Sequence, residues 1–523
     1  MGTKYAIKLS KVGMGKFRKF LLVAFAGVCA VLLWHAIDSC EKEPSHFQHT
    51  GFLVKKKYPN NERPWGRSLE YEARQNNKMV FFTTPNVKFT PDPALREFLS
   101  KYFLITVLDE RQSPADIRIL DGIFRMVSKK PDYVVAGILT PRLRPIYLTS
   151  NITYKDTPET PSIASAIYAA SKQYFLATDE LREKASKLPD IFDQAKKIRD
   201  EKFESENVES FKCTETELED LYKFFKNPET EKSPPGILSE NARLLAHLYK
   251  IFPTNKVAQL ASKEAEKLLI KRFSDSKTSK LRKIFFARAM IELAETSNSK
   301  ILDTTVKGLL DKIISTSLPD GRIADGGKEC LISTHAITAQ LLAAAYQRYG
   351  NNNYKIFAEK LCDYLEIVLK SYGQIPCLAS MGRNSQGSSV TYALTIGAFA
   401  KVYKITKKKK FLLAARLTLD EWNKLYMTKE NVWSLNAATS PLANYTRPIV
   451  FEDGEYCSYV GEAAQAFSYL STADNTFDSP YAEKLNKIYN AAARLTNIRN
   501  QAMGSLKLSM LPLLEEDDLK LEE

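Results

Sequence analysis

The chain has 523 residues, 44% of them hydrophobic and 26% charged, with a net charge of +14. That length excludes a single ordinary core and that composition excludes a disordered chain, so two or three globular domains are expected. Six of the positive charges (Lys4, Lys8, Lys11, Lys16, Arg18 and Lys19) fall in the first nineteen residues, and the net eight left over form no basic stripe interleaved with aromatics, which excludes a nucleic-acid partner.

Residues 1–19 form a basic N-terminus, followed by an unbroken apolar run from Phe20 to Ile37. Eighteen helical residues at ~1.5 Å each give roughly 27 Å, close to the hydrocarbon thickness of a bilayer. Basic residues precede the run and Asp38, Glu41 and Glu43 follow it. This predicts a single-pass anchor in the cytoplasmic membrane over residues 20–37, with the later domains facing the periplasmic or extracellular side. Two readings compete. A cleaved signal peptide is one, although Trp34-His35 stand where small residues are needed. Lipidation of Cys40 is the other, since Ile37-Asp38-Ser39-Cys40 loosely matches a lipobox. Residues 38–63 read as a polar tether; His46 and His49 lack a third ligand nearby, so no metal site is expected.

Residues 64–178 alternate helix and strand. An amphipathic stretch from Arg67 to Arg74 leads into Met79-Val80-Phe81-Phe82, and Phe98 to Tyr102 leads into Phe103 to Val107. Asp116 to Leu120 begins another helix, and Tyr133 to Leu139 with Pro145-Ile146-Tyr147 closes the pattern as a hairpin-like pair. This reads as a small α/β sandwich of thioredoxin type. Three motifs, Trp65-Gly66-x-x-Leu69-x-x-x-Ala73, Val107-Leu108-Asp109-Glu110-Arg111 with Ala115-Asp116-Ile117, and Gly137-Ile138-Leu139-Thr140-Pro141, occur in order. In these the segment resembles the thioredoxin-like domain of the family that includes the spermatogenesis-associated thioredoxin-like proteins. The resemblance implies an (α/α)6 toroid downstream. It departs where that family has Cys-x-x-Cys, because this chain has Thr83-Thr84-Pro85-Asn86-Val87. Without two sulfurs in reach of each other there is no dithiol exchange, so the loop is expected to be redox-inactive.

Residues 179–233 are charged and helix-prone, a helical connector ending at Ser233-Pro234-Pro235-Gly236. From 234 to 500 amphipathic helices recur in pairs, near Leu238–Ile251, Lys256–Lys271, Ser279–Thr296, Leu302–Thr316, Ser333–Tyr349, Tyr354–Lys370, Val390–Tyr403, Lys410–Leu425, Gly461–Tyr469 and Ser479–Thr496. Such hairpins bury their small-residue faces only by stacking on neighbours. Their number suits a closed (α/α)6 toroid, with an open solenoid as the alternative. Residues 501–523 read as an acidic tail. The expected fold class is thus multidomain: a transmembrane helix, an α/β thioredoxin-like domain and a C-terminal all-α (α/α)6 toroid.

The loops that open toroid helices are the natural place for chemistry. A glycosidase needs two carboxylates across the scissile bond. The clustered candidates are Asp320, Asp325, Glu329, Glu452, Asp453 and Glu455, although their Asp-Gly pairs are also ordinary turn chemistry. A sugar epimerase would use paired histidines, for which only His247 and His335 are available in the helical half. Trp422, Trp433 and Tyr456 are candidate sugar-stacking platforms, or core. No cofactor motif is present. The leading expectation is a membrane-anchored extracytoplasmic protein with a binding or scaffold role in the cell envelope, its partners the membrane and a glycan or envelope protein. The alternative is a carbohydrate-active enzyme, of glycosidase or sugar epimerase type, working at the toroid mouth.

Overall fold

A computed structural model describes residues 61–518 apart from 86, 111, 130–131, 158–159, 177–214, 277, 319–320, 326–327, 385, 444–445, 475–478 and 497–500. Residues 50–523 pack as one compact unit.

The first layer is organised around β1 (Met79–Thr83), whose five residues are all buried because both faces of the strand are covered. β2 (Phe103–Val107) pairs with it in parallel, Met79 opposite Phe103. On its other side β3 (Ala136–Leu139) runs antiparallel, and β4 (Pro145–Thr149) runs antiparallel to β3, for a strand order β2-β1-β3-β4. Helices α1 (Arg67–Gln75), α2 (Pro93–Tyr102), α3 (Pro114–Ser128) and α4 (Ile163–Leu176) flank it. α2 starts where it does because Asp92 accepts from the Leu95 N–H and Pro93 sits where no donor is required. Alternation along the strands sends Val80, Phe82 and Leu104 to one core with Ile117 and Leu120. Met79, Phe81 and Phe103 go to the other, with Leu99, Ile163 and Ile167.

The remainder is helical. Six outer helices are α5 (Glu215–Lys226), α7 (Lys256–Ser274), α9 (Lys300–Ser315), α11 (Asn352–Tyr372), α13 (Lys409–Tyr426) and α15 (Tyr481–Leu495). Six inner ones are α6 (Pro235–Ile251), α8 (Lys280–Ser297), α10 (Ile332–Tyr349), α12 (Ser389–Thr406), α14 (Tyr459–Ala473) and α16 (Gly504–Asp518). Each inner helix packs on the next, and α16 closes on α6, so the helices form a ring and not an open solenoid. The burial patterns follow from position. Inner α8 buries Ile284 to Ile291 without a break, because it is surrounded on all sides. Outer α11 buries only Tyr354, Ala358, Leu361, Cys362, Leu365, Val368 and Leu369, one stripe at helical spacing.

The closing helix α16 occupies part of the stretch that reads as an acidic tail. Its opening Gly-Ser-Leu-Lys-Leu-Ser carries no helical apolar stripe. It docks by specific contacts instead: Gly504 lies where a Cβ would come within 2.8 Å of the Asn241 side chain, and buried Lys507 reaches Glu217 on α5 at 2.7 Å.

The expected fold class needs two corrections. First, the sheet is not the centre of a separate α/β thioredoxin-like domain. The described residues are mostly helical with one small four-stranded sheet and a short hairpin, and Leu442 from the ring completes the sheet's Val80 core while Ala115 of α3 joins the ring's core. Helical packing has therefore absorbed the sheet into one unit. Second, among the described residues no helix is long and apolar enough to cross a membrane. The predicted anchor Phe20 to Ile37, and Cys40, lie outside the described residues. The single-pass anchor and the membrane localisation drawn from it thus have no support among the described residues.

Candidate functional site

The loop before α14 carries Glu452, Asp453 and Glu455 across the starts of several inner helices. Gly454 accepts from the Gly236 N–H at 2.7 Å, and a Cβ on Gly236 would stand only 2.1 Å from the Tyr456 carbonyl oxygen, so only glycine permits this approach at the start of α6. Beside the loop a cleft enclosing about 370 Å³, its open mouth included, is lined by both layers. From the sheet layer come Glu110, Pro114 and Arg118. From the ring come Val390, Leu435 and Val450, with the loop residues from Glu452 to Tyr459 other than Asp453.

Three carboxylates thus share one opening, in different states. Glu455 is held by Arg282, which donates to both of its oxygens at 2.6 and 3.0 Å. Glu452 is exposed on the rim. Glu110 opens to solvent, yet the walls crowding its carboxyl push its pKa up, and the like charge of Glu455 pushes it further while Arg118 pulls it down. The two carboxyls thus stand in different surroundings, Glu110 crowded and Glu455 clamped by a guanidinium.

Asp453 faces inward. It accepts from the Ser458 N–H at 2.7 Å, the Ser505 N–H at 3.0 Å and the Ser505 hydroxyl at 2.5 Å, joining the starts of α14 and α16. Burial, then the nearby Glu240, raises it to about 7. Asp320 lies outside the described residues; Asp325 and Glu329 sit in a two-residue hairpin, β5 (Ala324–Asp325) and β6 (Lys328–Glu329), whose side chains also lie outside them.

Beneath the cleft the ring's centre is filled by ions. Buried Arg288 donates to Glu462 at 2.6 Å and to Gln340 at 3.1 Å, with Glu240 at 3.6 Å. Buried Arg243 bridges Glu240 at 2.6 Å and Glu292 at 2.9 Å. Burial drives the Glu462 carboxyl up, but Arg288 with Lys401 and Arg243 outweighs it and holds the group below its usual range. The same contest, won by Arg243 with His247, holds Glu292 well below. Hydrophobic periodicity missed this network because its members sit one or two per helix among apolar neighbours.

The two histidines do not form an acid–base pair. His335 is buried, with Nδ1 3.0 Å from the Leu331 carbonyl while Nε2 accepts from the Ile323 N–H at 3.2 Å. His247 lies 3.4 Å from Glu292. Trp422 and Trp433 are fully buried and stack on each other at 4.0 Å; Tyr456, also buried, packs edge-on against Phe285 while lining the cleft. Thr83 ends β1, the Thr84 N–H donates to Val135, Pro85 and Val87 follow in the loop, and Asn86 lies outside the described residues. Cys330, Cys362, Cys377 and Cys457 are buried. Among the described residues no group of three or more His, Cys, Asp or Glu is placed to hold a metal. Sequence reading missed Glu110 and Arg118 as site residues. Their signal was position: they follow the carboxyl end of β2, where α/β sheets commonly place ligand-binding residues.

No family model matches the chain, and no curated protein matches it. Among solved structures it is similar to a D-mannose isomerase (12% identity, 59% of this chain and 100% of that one, TM-score 0.43). It is similar also to the GH76 α-mannanase of Bacteroides thetaiotaomicron (11%, 60% and 98%, TM-score 0.42). A third is the cellobiose 2-epimerase of Bacillus thermoamylovorans B4167 (12%, 57% and 98%, TM-score 0.43). At these identities and scores the likeness carries no argument about this chain's activity. Two expectations are corrected. The resemblance to the spermatogenesis-associated thioredoxin-like family is withdrawn, since no family model supports it. The redox-inactive envelope scaffold is drawn from that resemblance and is withdrawn with it.

Proposed function

We propose that this protein is a carbohydrate-active enzyme that cleaves a glycosidic bond at the mouth of its helical ring. The observation carrying the reading is the cleft in which Glu110 from the sheet layer and Glu452 and Glu455 from the ring surround one opening. Glycoside hydrolysis needs a carboxylic acid to protonate the leaving oxygen and a carboxylate to act on the other side. Glu110 suits the first role, because crowding and Glu455 favour its protonated form. Glu455 suits the second, its two oxygens held in place by the Arg282 guanidinium. Tyr456 and Tyr459 line the same cleft from the ring side. Epimerisation through paired histidines is not favoured, given the separate partners of His247 and His335.

The test is turnover of a glycan panel by the whole chain. E110Q and E455Q should each lower kcat by about 10²-fold or more without changing the melting temperature. Unaltered turnover in both variants sinks the assignment.

A further inference from the structure

Resting on that reading, the geometry points to an anionic sugar as the substrate, with Arg118 as the residue that selects it. Arg118 projects from α3 into the cleft wall. Its Nη2 lies over Gly454, 3.4 Å from where a Cβ would stand, which seats the guanidinium against the loop that carries Glu452 and Glu455. Other cations near the opening are already engaged: Arg282 is closed bidentately on Glu455, and Arg288 below is closed on Glu462 and Gln340. Arg118 is exposed, and among the described residues it makes no ion pair or hydrogen bond. Its field nevertheless reaches Glu110, Asp121 and buried Tyr459, which places the charge over the cleft and not out on the surface.

The balance of charge in the cleft decides which ligand this favours. Glu455 is neutralised by Arg282, and Glu452 stands on the solvent rim where screening is strong. On the wall from the sheet layer, Arg118 offers a planar fork of donors beside Glu110, whose carboxyl is pushed up by burial and by Glu455. Guanidinium pairs bidentately with carboxylate or sulfate, whereas a neutral sugar offers only hydroxyls. A glycan bearing a uronic carboxylate or a sulfate next to the scissile bond therefore satisfies the site, and Arg118 acts on specificity, not on bond cleavage. The sheet layer thus carries the selectivity of a cleft whose other side belongs to the ring.

The experiment uses the full chain with E110Q, which stops turnover, and calorimetric titration with three sets of oligosaccharides: uronates, their carboxyl-reduced neutral counterparts, and the neutral oligomers bearing sulfate. An anionic set should bind about tenfold or more tighter than the neutral one. R118Q should erase the preference, R118K should restore part of it, and binding of the neutral set should be unmoved. The uronate and sulfate arms identify which group is read. Equal binding of all three, binding of none, or a preference that survives R118Q overturns the inference. The two readings fail separately. If E110Q lowers turnover but charge on the sugar is irrelevant, Arg118 falls and the acid stands. If the anionic preference depends on Arg118 but E110Q leaves turnover intact, the acid falls and Arg118 stands.

Discussion

Asp116 on α3 accepts a hydrogen bond at 3.0 Å from the hydroxyl of Ser440, 324 positions further along the chain. The same carboxylate accepts from Trp65 Nε1 at 2.8 Å. One buried acid thus ties the sheet layer to the ring, beside the helix that supplies Arg118 to the cleft.

Removing one donor from this buried acceptor should cost more than an ordinary surface bond. Ser440→Ala is expected to destabilise by about 1–3 kcal/mol, because Asp116 stays desolvated with one partner fewer. Urea unfolding measures it. The double variant D116N/S440A should lose less than the sum of the singles, since the two share one interaction; strict additivity would show that the contact contributes nothing.

Asp453 makes stability depend on pH. Burial, with Glu240, raises its folded pKa to about 7, well above the ordinary carboxyl value near ~4 that applies in the unfolded chain. The folded state therefore holds the proton more tightly. Its stabilisation is fully present below about pH 4 and is lost as pH rises through about 7. Asp453→Asn cannot titrate, so its curve of stability against pH should be flatter over that window. It should also sit lower overall, because one amide oxygen replaces a carboxylate accepting three bonds. Thermal melts from pH 4 to 8 give the comparison, and parallel curves for the two proteins would refute it.

The ion network in the ring's centre should be costly to open from one side. Arg288→Met leaves Glu462 buried without the guanidinium that donates to it, while Glu240 keeps Arg243, at an expected cost of about 3–5 kcal/mol. Combining it with E462M, which removes the stranded charge, should recover a substantial part of that loss. A double variant no more stable than the single would mean that packing, not charge, dominates there.

A pH–rate profile tests the acid. A proton donor must be protonated to act, so activity falls as pH rises through its pKa. Crowding and Glu455 raise Glu110, which moves this alkaline limb above the range of an ordinary glutamate. Arg118→Gln removes the positive neighbour that lowers it and should move the limb higher still. A limb unchanged in R118Q and in E455Q would exclude Glu110 as the titrating group.

Much of the architecture was legible locally. Met79 to Phe82 reads as a buried strand because no polar residue interrupts it, and the paired helices show their stripes wherever one side meets solvent, as in α11. The lack of sulfur between Thr83 and Val87 is likewise a matter of residue identity alone. Aromatic character alone could not say whether Trp422 and Trp433 face a ligand or each other; packing answers that, stacking them in the core. Asp453 reads as turn chemistry because Asp-Gly is a turn signal, and only the approach of Ser505 makes it a junction of two helices.

What the chain's own order of residues determined is therefore the local part: strand and helix positions, the missing thiols, and a supply of carboxylates in the loops. Only the tertiary structure decided which of those carboxylates meet. Glu110 and Arg118 come to Glu452 and Glu455 because the sheet layer packs on the ring through Asp116, Ser440 and Leu442. Contacts between such distant stretches leave no periodicity in either one, since each segment keeps the pattern of its own helix or strand whatever lies across from it.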